Sequence, residues 1–401
     1  MIRKLLAVAC ILFAVQALAQ TTSRGTYLAL MRVQELWEQQ LYDDAVVALQ
    51  DVIERTQGND RLLYDFLIAN HYLAQTNILA DRPAVARIAL EAALATERIE
   101  RFASLSADLK LLYGQVLLND EDYPRAEATL EQWFVENGGT GQPVQVFLLG
   151  YANFMNEHFD KAEERLGLAL GGGMNDNDSW YQLYYQSMFA QGKYESAELL
   201  LHQLLAKDTT KDLYWRLLTN HYLQLENGPR ALSAMNLEHL LSLVDTPEDM
   251  KRLAALYSYV EIPEKGARLL EEWMRSELIP ADYATLRQTG DFWLLARERE
   301  KSLAYLERAA NLVEDGRTHE LIGTIHFEDE RWPEAFAAFQ QAIAKGALDD
   351  EARIHLLSGV SAWRTGQTDA ATAALEKAAQ ADAYRGQAEG LLAEIQSTNR
   401  E

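Results

Sequence analysis

The chain has 401 residues, 48% of them hydrophobic and 24% charged, a globular balance far from the composition of a disordered segment. Its 37 lysines and arginines face 60 acidic residues, a formal charge of −23, which argues against a nucleic-acid partner because the phosphate backbone would be repelled. The single cysteine excludes a disulfide framework and any multi-cysteine metal site.

The first element is a targeting segment. Arg3 and Lys4 form a short positive region, Leu5 to Val15 is an apolar run, and Ala17-Leu18-Ala19 is a small-x-small cleavage pattern. Residues 1–19 are therefore expected to be a signal peptide, with a mature chain starting at Gln20 and located in the periplasm. The apolar run is too short to span a bilayer, and no later segment reaches ~18 apolar residues, so no transmembrane segment is expected after cleavage. Val8-Ala9-Cys10 resembles a lipoprotein box, but Cys10 lies inside the apolar run with five apolar residues ahead of it. Cleavage after Ala19 is the preferred reading over a lipid anchor at Cys10. It leaves a thiol-free chain, which suits an oxidising compartment.

Beyond this segment a pattern recurs: an aromatic, two residues, Ala, three residues, a large apolar side chain. It appears at Tyr123-Pro-Arg-Ala126, Phe159-Asp-Lys-Ala162, Tyr194-Glu-Ser-Ala197 and Trp332-Pro-Glu-Ala335, closed by Leu130, Leu166, Leu201 and Phe339. Weaker copies centre on Ala45, Ala86, Ala231, Gly266, Ser302 and Ala371. The ten anchors are spaced by 41, 40, 36, 35, 34, 35, 36, 33 and 36 residues. The tetratricopeptide period of ~34 fits the middle and the end. The first two spacings are longer and point to extended turns such as Gln75 to Arg82. A small anchor lets two helices approach closely, and the apolar residue four positions on lies on the same face.

Upstream of each anchor runs a second amphipathic segment. Trp215, Leu218 and Tyr222 match the W…L…Y positions of the tetratricopeptide first helix, and Leu149-Gly150 and Ile322-Gly323 match its Leu-Gly pair. All eight prolines fall at predicted helix starts, where a missing N–H costs nothing. Pro83, Pro124, Pro229, Pro263 and Pro333 open second helices; Pro143, Pro247 and Pro280 open first helices. The chain is expected to be all-α, a tetratricopeptide superhelical solenoid of about ten helix-turn-helix repeats. It would run continuously over 20–401, with room to bend at 171–178 and a polar capping helix near Tyr384 to Gln396.

The chemical motifs are weak. His319-Glu320 opens an HExxH pattern, but the fifth residue is Gly323; His326 shares the face, and helix packing is preferred over zinc. Asn175-Asp176-Asn177-Asp178 lacks the glycine and closing glutamate of a calcium loop, so a solvated turn is preferred, with Asp178 or Ser179 capping a helix near Trp180. The glycine runs at 138–141 and 171–173 are not followed by Lys-Ser/Thr, and no Gly-x-Ser-x-Gly elbow occurs. No catalytic residue, metal site or cofactor is expected, and an enzyme is the least favoured class. The expected activity is binding of protein or peptide segments along the first helices. Counting back from the anchors places Val144, Phe147, Tyr151 and Phe154 on that face in the fourth repeat. The fifth contributes Gln182, Gln186 and Phe189, and the sixth Leu213, Arg216, Asn220 and Leu223. Repeat packing competes with groove exposure for all of these.

A narrower resemblance rests on the signal peptide, Leu41-Tyr-Asp-Asp-Ala45, Asp212-Leu-Tyr-Trp215-Arg-Leu-Leu, Ala267-Arg-Leu-Leu-Glu-Glu, Leu306-Glu-Arg-Ala-Ala310 and Arg331-Trp-Pro-Glu-Ala335. With these features the chain resembles the periplasmic tetratricopeptide proteins that accompany TonB energy-transduction systems. The resemblance implies an accessory of the TonB–ExbB–ExbD motor, with those components or a TonB-dependent receptor as partners, and no catalytic residues. The alternative is a scaffold for envelope biogenesis: polysaccharide export, outer-membrane assembly or peptidoglycan synthesis.

Overall fold

The computed structural model describes residues 22–171 and 177–398. The signal-peptide reading, Cys10, Gly172, Gly173, Asn175 and Asp176 lie outside the described residues. Those residues form 21 α-helices and two short 3₁₀ turns, with no strand among them. They fall into two compact units divided after Lys207.

The first unit pairs α1 (Arg24–Glu38) with α2 (Tyr42–Thr56), α3 (Leu63–Leu79) with α4 (Pro83–Leu94), and α5 (Ala103–Asn119) with α6 (Tyr123–Glu136). It continues with α7 (Pro143–Met155) and α8 (Phe159–Leu170), then α9 (Asp178–Ala190) and α10 (Tyr194–Lys207). The second unit pairs α11 (Asp212–Gln224) with α12 (Gly228–Leu240), α13 (Pro247–Tyr259) with α14 (Pro263–Arg275), and α15 (Tyr283–Leu295) with α16 (Arg299–Ala310). Then come α17 (Arg317–Glu328) with α18 (Trp332–Lys345), α19 (Glu351–Arg364) with α20 (Thr368–Ala378), and a single terminal helix α21 (Arg385–Thr398). Each unit is thus a stack of helix-turn-helix repeats.

Every anchor is the fourth residue of a second helix and is buried. Ala45, Ala86, Ala126, Ala162 and Ala197 occupy this place in the first unit, and Ala231, Gly266, Ser302, Ala335 and Ala371 in the second. Four residues on, each large apolar side chain is buried as well, from Leu49 to Phe339 and Leu375. Seven residues on, the side chains are again buried. Val52, Ala93, Trp133, Ala169 and Leu204 hold that place in the first unit; Trp273, Ala309, Ala342 and Ala378 hold it in the second, with one exception at Glu238.

The turn inside each repeat is built one way. Five residues before the anchor the backbone is left-handed in all ten: Gln40, Asp81, Glu121, Glu157, Gly192, Glu226, Glu261, Arg297, Glu330 and Gly366. The next residue's N–H closes back on the carbonyl five positions earlier, as in Asn227 to Tyr222 at 2.8 Å and Arg331 to His326 at 2.9 Å. This is the Schellman closure, which satisfies carbonyls that the helix end would leave bare.

The two long spacings have a different origin from a stretched turn at Gln75 to Arg82. Gln75 to Leu79 belongs to α3. The extra length lies in α3 and α5, 17 residues each, and in the 3₁₀ turns Asp60–Leu62 and Ile99–Phe102 that precede them. Both helices are apolar around most of their circumference and are buried on most faces, as such a helix must be. Two starts also differ from expectation. Pro280 lies ahead of α15, which begins at Tyr283 with Asp282 as its cap, and α9 begins at Asp178 with Asn177 at its N-cap position.

Candidate partner-binding face

The fourth and fifth repeats are aligned by two equivalent latches. Asn156, in the turn after α7, donates to the Tyr123 carbonyl at 3.0 Å and to Glu127 Oε2 at 2.6 Å. Gln191, in the turn after α9, donates to the Phe159 carbonyl at 3.0 Å and to Glu163 Oε2 at 2.7 Å. In each case the glutamate follows the anchor of the preceding repeat. Glu127 also meets His158 Nδ1 at 2.8 Å and Lys161 Nζ at 3.1 Å. Burial would raise its pKa, but the hydrogen bonds from Asn156, His158 and Lys161 outweigh that and hold it below the ordinary glutamate value.

These latches set α7 against α6 and α9 against α8, and so place a strip of rings. Trp180 of α9 stacks on Phe147 with centroids 4.4 Å apart and planes 9° from parallel. Phe147 stacks on Tyr151 at 6.3 Å, and Tyr151 meets Tyr123 edge to face at 6.4 Å. All four are half-buried, packed at the margin of the first unit's core. Burial pushes the Tyr151 hydroxyl above the ordinary tyrosine pKa, which keeps it a neutral donor. The strip crosses from the third repeat to the fifth. It offers flat apolar area with one hydroxyl at each of two rings, the composition of a protein-recognition surface.

The remaining expected groove residues separate from this strip. Phe154 turns to Phe159 of its own repeat at 5.6 Å, and Phe189 to Tyr194 at 4.9 Å. Phe327 and Trp332 repeat that pairing at 5.2 Å in the second unit. These pairs tie the two helices of one repeat together. Gln182, Gln186 and Val144 are half-buried. In the second unit Arg216 and Asn220 are exposed on α11, with Arg216 3.6 Å from Asp212, while Leu213 and Leu223 are half-buried. Trp215, Leu218 and Tyr222 are packed inside.

Tyr123 and Trp180 were not singled out by the sequence as part of this face. Tyr123 carries the repeat signature, and Trp180 sits at a helix start 33 residues from Phe147. Packing of α9 on α7 brings Trp180 to Phe147, and packing of α7 on α6 brings Tyr151 to Tyr123.

His319 and His326 lie on α17 beside Glu307, Asn311 and Glu334 around a cavity of about 360 Å³. Burial holds both imidazoles below the ordinary histidine pKa. Among the described residues no group of three or more His, Cys, Asp or Glu side chains is placed to hold a metal ion. No helix among them is long and apolar enough to cross a membrane.

Residues 320–387 match the tetratricopeptide repeat family model. The matched stretch runs from α17 through α20 to the start of α21. No curated protein matches the chain. Among solved structures, the chain is similar to the C-terminal part of a tetratricopeptide repeat protein from Cytophaga hutchinsonii (15% identity, 61% of this chain and 98% of that one, TM-score 0.47). It is also similar to a tetratricopeptide repeat protein from Parabacteroides merdae (15% identity, 64% and 98%, TM-score 0.38). A third is PilW, a type IV pilus biogenesis factor (16% identity, 55% and 100%, TM-score 0.34).

Proposed function

We propose that this protein is a scaffold that binds protein partners, with the ring strip Tyr123, Tyr151, Phe147 and Trp180 as its principal contact. The observation that carries this reading is the stacked, half-buried Phe147–Trp180 pair, continued by Tyr151 and Tyr123 across three repeats. An extended or helical peptide lying along it would bury apolar side chains on the rings. The acidic chain favours basic segments on that partner and faster association with them.

The N-terminal Arg3-Lys4, apolar run and Ala17-Leu18-Ala19 support export to the periplasm. Together with the sequence resemblance, they support a role as an accessory of a TonB–ExbB–ExbD system, contacting one of those components or a TonB-dependent receptor. Crosslinking in intact cells, purification and mass spectrometry test this. Recovery of ExbB, ExbD, TonB or a TonB-dependent receptor supports the assignment. Recovery of polysaccharide-export, outer-membrane-assembly or peptidoglycan-synthesis factors instead would move the scaffold to envelope biogenesis.

A further inference from the structure

Seven residues after the anchor, nine repeats carry an apolar side chain and the sixth carries Glu238. The position is a packing position in this repeat: Ala342, its counterpart in the ninth, clusters with Phe339 and with Ile354 of the following repeat. Glu238 is as buried as the others, 3% exposed, and its Oε2 is shut off from solvent without a hydrogen-bond partner.

The charged groups around it come from the two helices packed against α12. Asp212 and Arg216 face it from α11, and Asp249 and Arg252 from α13. Each arginine leans towards an aspartate of its own helix, Arg216 towards Asp212 at 3.6 Å and Arg252 towards Asp249 at 3.6 Å, both longer than a hydrogen bond. Neither makes a hydrogen bond to Glu238, although Nε and Nη2 of Arg252 are buried and themselves lack hydrogen-bond partners. On α12 itself, His239 turns to the edge of Trp273 at 5.7 Å. The contact between α12 and α13 is otherwise neutral. Tyr257 donates to Asn236 Oδ1 at 2.7 Å, and Gly228 packs under Tyr259.

We propose that Glu238 makes the junction of the sixth and seventh repeats a protonation-controlled joint, packed while the carboxyl is neutral and loosened when it ionises. A neutral carboxyl fills the place of an alanine or tryptophan at modest cost. Ionised, Oε2 has no donor in this packing, and taking one from water or from the unpaired Nε and Nη2 of Arg252 requires α12 and α13 to shift. Burial pushes the group up to about 7, outweighing the attraction of Arg252 and Arg216, while Asp249 and Asp212 add to the rise. Because the folded value lies above the ordinary one, the stabilisation is complete below pH ~4.5 and is lost as pH rises through about 7.

Hydrogen exchange on the full chain at about pH 5.5 and about pH 8, corrected for the intrinsic rate, tests the joint. Peptides from α12 and α13 are compared with those from α15 of the same unit, which carries no histidine. The wild type is expected to lose protection in α12 and α13 by more than about tenfold at the higher pH, with α15 unmoved. Glu238→Leu should abolish the difference. If it fails to fold, Glu238→Gln, uncharged and of the same shape, carries the test. A wild type without the difference, or a Glu238→Gln chain that keeps it, overturns the proposal.

Discussion

Gly323 of α17 lies against the ring of Phe339 on α18 so closely that a β-carbon there would stand 2.6 Å from the ring. Gly114 and Leu130, Gly150 and Leu166, Gly290 and Leu306, and Gly359 and Leu375 repeat the relationship at 2.5, 2.9, 2.8 and 2.7 Å. In each case the glycine stands twelve residues before the anchor and its partner four after it. The seventh repeat exchanges the two sizes: Ala254 holds the glycine's place, and the anchor is Gly266, whose own β-carbon would meet the Ala254 carbonyl at 2.5 Å. Gly323→Ala should therefore destabilise the second unit. Overpacking costs ~1–3 kcal/mol, and the ~1 kcal/mol gained in helix propensity offsets only part of it. Gly390→Ala, in α21 with nothing near its β-carbon, should instead stabilise, by up to ~1 kcal/mol. Urea melts of the two variants should move in opposite directions.

The turns give a prediction of pure backbone origin. Gly366 has φ +76° and no atom within 4 Å of a built β-carbon. Gly366→Ala meets no neighbour, yet should cost about 1 kcal/mol because the left-handed conformation is strained for any residue with a β-carbon. The converse change at Glu330, φ 56°, should be neutral to mildly stabilising, since relief of strain is offset by a more flexible unfolded chain. A Glu330→Gly melting point well below wild type would contradict the strain argument.

His71 predicts acid sensitivity of the first unit. It is buried on α3, and burial holds its imidazole down to about 4. A depressed value means that the stabilisation is complete above the unfolded value of 6.5 and is lost as pH falls through about 4. The full span corresponds to roughly 3 kcal/mol. His71→Gln should flatten the fall in stability between these limits, whatever its effect at neutral pH. Equal acid dependence in the variant and the wild type would assign the loss to other groups.

The repeat fold was legible because one small residue and one large apolar residue at a fixed spacing solve one packing problem ten times. The turns were less legible. Eight of the ten left-handed positions hold Gln, Asp, Glu or Arg in place of glycine, so the usual helix-stop signal is missing and only the recurrence marks them. The lengths of α3 and α5 were hidden for another reason. A helix apolar on nearly all sides has no periodic stripe to measure, so the added length of the early repeats reads as an extended turn at Gln75 to Arg82. At the candidate face, periodicity selected Phe147 and Tyr151 together with Phe154 and Phe189. It could not tell a ring that faces the next repeat from one that turns to its own second helix. Glu238 escapes that signature, because the place it occupies lies seven residues after the anchor and the signature ends at four.

The ring strip makes the last prediction. Phe147→Ala and Trp180→Ala together remove the stacked pair and should weaken partner binding at least tenfold, the loss of about 1.4 kcal/mol or more expected for an aromatic contact at an interface centre. Helicity should change little, because the anchors, the residues four positions on and the Asn156 and Gln191 latches are untouched. Phe327→Ala is the matched control. It removes a ring of the same kind from a pair internal to one repeat, so it should lower the melting temperature and leave affinity unchanged. Equal loss of affinity in Phe327→Ala and in the double variant would mean that binding follows stability, and the strip would lose its standing as the contact surface.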